Sequence, residues 1–113
     1  MNTLNKLIEA VESKTPIAFT YNKPGKIIGK RIGNVHAIFI LELKNGSKST
    51  KIHIVQTEGV SDSASEENFP NFRMFDIKDI DDIIILSDRP QFEIFEESYN
   101  PEWKGYSNTI AKV

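Results

Sequence analysis

Residues 36–57 read HAIFILELKNGSKSTKIHIVQT, and this stretch decides the fold. From His36 to Lys44, every second residue is apolar on one face: Ala37, Phe39, Leu41 and Leu43. That period of two is the mark of a half-buried strand. Asn45-Gly46 follows, the strongest hairpin turn in the chain, because both residues accept the positive φ that a tight turn demands. Thr50 to Thr57 then returns, with Ile52 and Ile54 on one face and His53 and Val55 on the other. The pattern predicts a β-hairpin at the centre of a mainly-β domain.

Working outward, Ile17, Phe19 and Tyr21 alternate with Ala18 and Thr20, and Asn22-Lys23-Pro24-Gly25 closes that strand with a turn cluster. Ile27 to Val35 reads as a second strand, with Gly29 and Gly33 marking a bulge or bend. Phe72 to Ile77 and Asp82 to Ser87 supply two more. Leu4, Leu7, Ile8 and Val11 fall at helical spacing, which predicts one amphipathic helix over about 3–14, capped by Asn2 or Thr3 and stopped by Pro16. Glu58 to Asn71 is rich in Ser, Glu, Asn and Gly and reads as an exposed loop. Strands this short avoid exposed edges best by closing on themselves. The expected architecture is a small SH3-like or Sm-like β-barrel with one N-terminal α-helix. It is one domain over 1–113, with barrel strands over about 17–87 and an aromatic C-terminal segment over about 88–113.

Composition removes several functions. With no cysteine, disulfides, thiolate zinc sites and cysteine nucleophiles are excluded. Fourteen Lys+Arg against sixteen Asp+Glu excludes a uniformly basic nucleic-acid coat. The total hides a split: residues 1–60 hold nine basic and four acidic side chains, and residues 61–113 hold five and twelve. No apolar leader or membrane-length run occurs, so a cytosolic chain without a membrane partner is expected.

Few motifs carry chemistry. Two histidines, His36 and His53, fall short of a metal ligand set, and His36 as a general base has no nucleophile or oxyanion element nearby, so a polar or ligand-contact role is the better reading. Asp76, Asp79, Asp81 and Asp82 lack the glycine and closing glutamate of a calcium loop and read as a solvated turn. Phe92, Phe95, Tyr99, Trp103 and Tyr106 have the residue types of a base-stacking platform, but Glu93, Glu96, Glu97 and Glu102 interleave with them. Anchoring of the terminal segment to the core is the better reading. Of only three arginines, Arg31 and Arg73 fall within predicted strands. An arginine there either aims a planar fork at phosphate or carboxylate, or pairs with the many acidic side chains.

Taken in order, these segments resemble the compact, stand-alone form of the WYL domain family of bacterial regulatory domains. Leu4 to Phe19 followed by Tyr21 resembles the family's helix-to-strand opening. Arg31-Ile32-Gly33-Asn34-Val35-His36-Ala37-Ile38 resembles its Arg-x-x-x-Pro-His/Tyr-x-Leu signature, with Val35 in place of proline. Gln56-Thr57-Glu58-Gly59-Val60-Ser61 is similar to its Gln-x-x-Gly-x-Ser stretch. Arg73 to Ile80 resembles its Arg-x-Phe-x-Leu-x-x-Ile strand, with Asp79 where many members have arginine. Phe92 and Tyr99-Asn100-Pro101 resemble its closing segment, while the name-giving Trp-Tyr-Leu run is missing.

The resemblance implies a non-catalytic regulatory domain that senses a negatively charged ligand, a nucleotide or a single-stranded nucleic acid, without a cofactor. Arg31, His36 and Arg73 would line the ligand face, with Tyr21, Gln56 and Ser61 as neighbours. Many members follow a helix-turn-helix; only Met1 to Thr3 precede the first helix here, so no DNA-reading module of the chain's own is expected. The alternative is a module that binds a regulatory protein partner or a second copy of itself, with no small-molecule ligand.

Overall fold

The computed structural model describes residues 3–25, 27–60 and 69–113. Its elements run α1 (Thr3–Ser13), β1 (Ile17–Tyr21), β2 (Lys30–Glu42), β3 (Lys48–Gly59), β4 (Asn71–Asp76), β5 (Ile80–Ile85) and β6 (Thr109–Lys112). Short 3₁₀ segments occupy Ile77–Asp79 and Lys104–Asn108. The described residues are mainly β with one α-helix. Among the described residues, no helix is long and apolar enough to cross a membrane.

The hairpin forms as the alternation predicts. β2 and β3 pair antiparallel from Glu42↔Lys48 to Arg31↔Gly59. The Asn45 side chain steadies the turn by accepting from the Ser47 backbone amide at 3.0 Å, and Gly46 supplies φ +85°. The strand order is β4-β3-β2-β1-β5, all antiparallel, with β6 added on β2.

The two strands predicted over Ile27–Val35 and His36–Lys44 are one continuous strand, β2. Nothing between Val35 and His36 can turn the chain, so Gly33 bends it without breaking it. A Cβ on Gly33 would lie 2.6 Å from the Ile54 methyl and 2.7 Å from the Val55 carbonyl oxygen. The bend splits the far edge of β2 between two partners. Its first part, Lys30 to Gly33, pairs with β1, and its second part, Ala37 to Phe39, pairs with β6.

A closed barrel is not found: among the described residues no ladder joins β4 to β5. The link between them is the single 3₁₀ turn Ile77–Asp79. It carries the chain around a corner instead of folding it back, so β5 pairs with β1. Asp76, expected in a solvated turn, is buried and paired with Lys23 and Lys51. Asp81 and Asp82 are exposed as expected.

Apolar side chains fill both faces of the sheet. On the inner face α1 packs Leu7, Ala10 and Val11 against Phe19, Val35, Ile38, Ile52, Ile54 and Phe75. The helix ends as Lys14 enters the left-handed region at φ 51°, with the Thr15 amide donating back to the Ala10 carbonyl at 3.1 Å. On the outer face the aromatic C-terminal segment lays Tyr99 and Tyr106 over Ala37 and Phe39. Tyr99 Oη donates to the Val113 carbonyl at 2.9 Å, and the Val113 amide donates to the His36 carbonyl at 2.9 Å. Terminal anchoring is therefore what Phe92, Tyr99 and Tyr106 do, all three buried.

Candidate functional site

The sheet register gathers four of the six site residues on its inner face. Arg31 on β2 is fully buried. Its guanidinium donates from Nη1 to Gln56 Oε1 at 3.3 Å and from Nη2 to the Ile27 carbonyl at 3.1 Å. It stands 5.7 Å from the Tyr21 ring centroid and 5.7 Å from that of Phe75. Arg73, half-buried on β4, brings its own guanidinium to 6.0 Å from the same Phe75 ring. Two of the chain's three arginines thus converge on one aromatic ring. Tyr21 meets Phe75 edge-on at 4.7 Å, and its hydroxyl accepts the Asp76 amide at 3.2 Å.

Gln56 joins this site to the end of β3. While Oε1 accepts from Arg31, Nε2 donates to the Val60 carbonyl at 2.7 Å and the Glu58 carbonyl at 3.2 Å. A fully buried amide with both ends engaged fixes where the chain leaves the strand. Beside this exit lies a cavity of about 390 Å³ lined by Thr57, Glu58, Gly59 and Phe69. Glu58, which borders it, is paired with Arg89 at 2.7 Å. Gly59 is the register partner of Arg31. The cavity's size is within the range of small-molecule sites.

His36 is not with these residues. On the continuous strand β2 an odd number of residues separates His36 from Arg31, so the alternation of faces points the two side chains to opposite sides of the sheet. It is fully buried in the outer aromatic layer, stacked on Phe92 at 5.2 Å. Its Nδ1 lies 2.9 Å from the Asn34 carbonyl, which can only accept. Its Nε2 lies 3.0 Å from the Phe95 amide, which can only donate. The two partners require the neutral tautomer with the proton on Nδ1. Burial lowers its pKa below the usual 6.5, against an opposing contribution from the Asn34 bond. Ser61 lies outside the described residues.

A second group was not picked out from the sequence. His53 on β3 faces outward and lies 2.6 Å from the Tyr106 hydroxyl through Nδ1. Phe72, Trp103 and Tyr106 surround its ring at 4.7, 5.6 and 5.5 Å. Desolvation by burial holds His53 down at about 4. The hairpin alternation did place His53 opposite Ile52 and Ile54. What the sequence left open was which segment would cover that face.

Among the described residues, no three His, Cys, Asp or Glu side chains converge as a metal ligand set. No family model, curated protein or solved structure matches the chain.

Proposed function

We propose that this is a non-catalytic, WYL-like sensing domain that binds an anionic ligand, a nucleotide or a short single-stranded nucleic acid, beside Arg31 and Arg73. One observation carries the reading. Two arginines 42 positions apart in sequence are held within 6.0 Å of a single Phe75 ring. Two guanidinium groups on one face concentrate positive potential there, which favours a bound anion. The roles divide by exposure. Arg31, gripped by Gln56 and the Ile27 carbonyl, raises the local potential from beneath. Arg73, half-buried, makes the charge-assisted contact to phosphate. Tyr21 frames the site, and Gln56 ties it to the chain exit by the cavity.

The test is a thermal-shift screen against nucleotides, cyclic nucleotides and short single strands, because a ligand that binds the folded state alone raises the midpoint. A shift that disappears in Arg73→Ala is the expected result. No shift from any of these ligands would refute the reading. Arg73 is the residue to change, since removing the buried Arg31 also strips partners from Gln56 and Ile27.

A second reading, a protein-interaction or self-assembly module, draws on the sheet edges. Among the described residues β4 and β5 each pair on one side only, and Met74 and Ile84 on them are 49% and 59% exposed. Unpaired edges with apolar side chains favour strand addition. Concentration-dependent mass in light scattering tests it.

A further inference from the structure

The outer face of the sheet carries a second opening whose chemistry is opposite to that of the arginine site. Along β4, Phe72 and Met74 alternate with Arg73 and Phe75, so the two pairs point to opposite faces. On the outer side, His53, Phe72, Met74, Ser98, Asn100, Trp103 and Tyr106 line a groove of about 340 Å³. Trp103 and Tyr106 stand perpendicular at 5.2 Å, and His53 links them to Phe72. Trp103 remains 38% exposed and Met74 49%, so the groove is open to solvent. The indole is held by its own chain: a Cβ on Gly105 would lie 2.3 Å from its ring. Gly105 is therefore what lets Trp103 lie back across the 3₁₀ turn.

The terminal segment that walls this groove is acidic, and Lys51, two residues before His53 on the same strand, is paired with Asp76. From residue 88 to residue 103 the chain has Asp88, Glu93, Glu96, Glu97 and Glu102 against the single Arg89. Glu97 precedes Ser98, Glu102 precedes Trp103, and both glutamates are exposed. Lys104 lines a separate hollow with Lys48. A phosphate would be repelled here, whereas electron-rich ring faces inside a negative field attract a cation.

We propose that the groove is a binding site for a small organic cation of the quaternary-ammonium type, with Trp103, Phe72 and Tyr106 as its aromatic walls. The exposed Glu97 and Glu102 supply the long-range attraction. His53 completes the wall as a neutral ring, since desolvation keeps it uncharged at neutral pH. This site is independent of the arginine site, and either stands if the other fails.

Trp103 is the only tryptophan, so its fluorescence reports the groove directly. The full chain is titrated with choline and, in parallel, with 3,3-dimethyl-1-butanol, a neutral molecule of the same shape. Choline is expected to change the emission saturably and to bind about tenfold tighter than the alcohol, the weight of a partly desolvated cation–π contact. An equal response to both, or no saturable response to choline, overturns the proposal. Phe72→Leu, which keeps apolar volume but removes a ring, is expected to weaken choline several-fold with an unchanged far-UV spectrum. Should that variant misfold, Glu97→Gln with Glu102→Gln, both at exposed positions, is the replacement. It is expected to weaken choline about two- to fourfold at low salt and much less at high salt. Unchanged affinity at low salt in the charge variant overturns the electrostatic part of the proposal.

Discussion

Lowering the pH from 7 to 5 is expected to destabilise this fold through its two histidines. His53 titrates at about 4 in the folded chain, against an ordinary 6.5. His36 is lowered too, by burial, and its Nε2 has no room for a proton while it accepts the Phe95 amide. The unfolded chain takes up protons on both rings near pH 6.5. Below that pH the unfolded state binds more protons than the native state, so stability falls as pH falls, and the His53 share of the loss levels off once His53 protonates near 4. For His53 alone the loss between pH 7 and pH 5 is about 2 kcal/mol, out of about 3 kcal/mol in full. Asp76 does not interfere. Burial pushes its carboxyl up, but Lys51 and Lys23 outweigh burial and hold it below its ordinary 3.8. The stability it contributes is present above pH 3.8 and is lost only at lower pH. The assay is urea unfolding followed by far-UV circular dichroism at pH 7, 6 and 5 at constant ionic strength. His53→Gln is expected to remove a large part of the slope. A flat profile from pH 7 to 5 in the unaltered chain, or an NMR titration placing His53 near 6.5, would refute the reasoning.

Three further outcomes follow from the packing. Gly33→Ala puts a methyl against Ile54 and the Val55 carbonyl. It is expected to cost about 2–3 kcal/mol in urea unfolding. Lys14→Gly relieves a side chain in the left-handed region at the helix end, and is expected to add about 0.5–1 kcal/mol by the same assay. Around Asp76, Lys51→Met is expected to cost more than Lys23→Met in thermal unfolding. The Lys51 side chain is 17% exposed and that of Lys23 is 43%, so water screens the second pair more.

The hairpin over residues 36–57 was legible because two independent signals coincide, strict alternation and Asn-Gly. The helix was legible from Leu4, Leu7, Ile8 and Val11. β6 was not, because Thr109–Lys112 is only four residues long and owes its strand form to pairing with β2. Arg31, Arg73, Tyr21 and Gln56 could be named singly. Their meeting on one face depends on a register running across β1, β2, β3 and β4, which no local pattern encodes. His36 falls away from them because β2 is one strand and not two, and its odd separation from Arg31 puts it on the opposite face. The outer groove depends on the terminal segment folding back over the sheet. The aromatic residues foretold that return, but not the walls it builds around His53.

The central claim is that an anion is held at Arg31 and Arg73, and an NMR titration of the arginine Nε–H, Gln56 side-chain amide and Trp103 indole signals tests it most directly. With a nucleotide that raises the melting midpoint, the Arg31, Arg73 and Gln56 signals are expected to shift together and saturate at one affinity, while the Trp103 signal stays in place. Arginine signals that stay fixed, or nucleotide shifts confined to Trp103, would contradict the account.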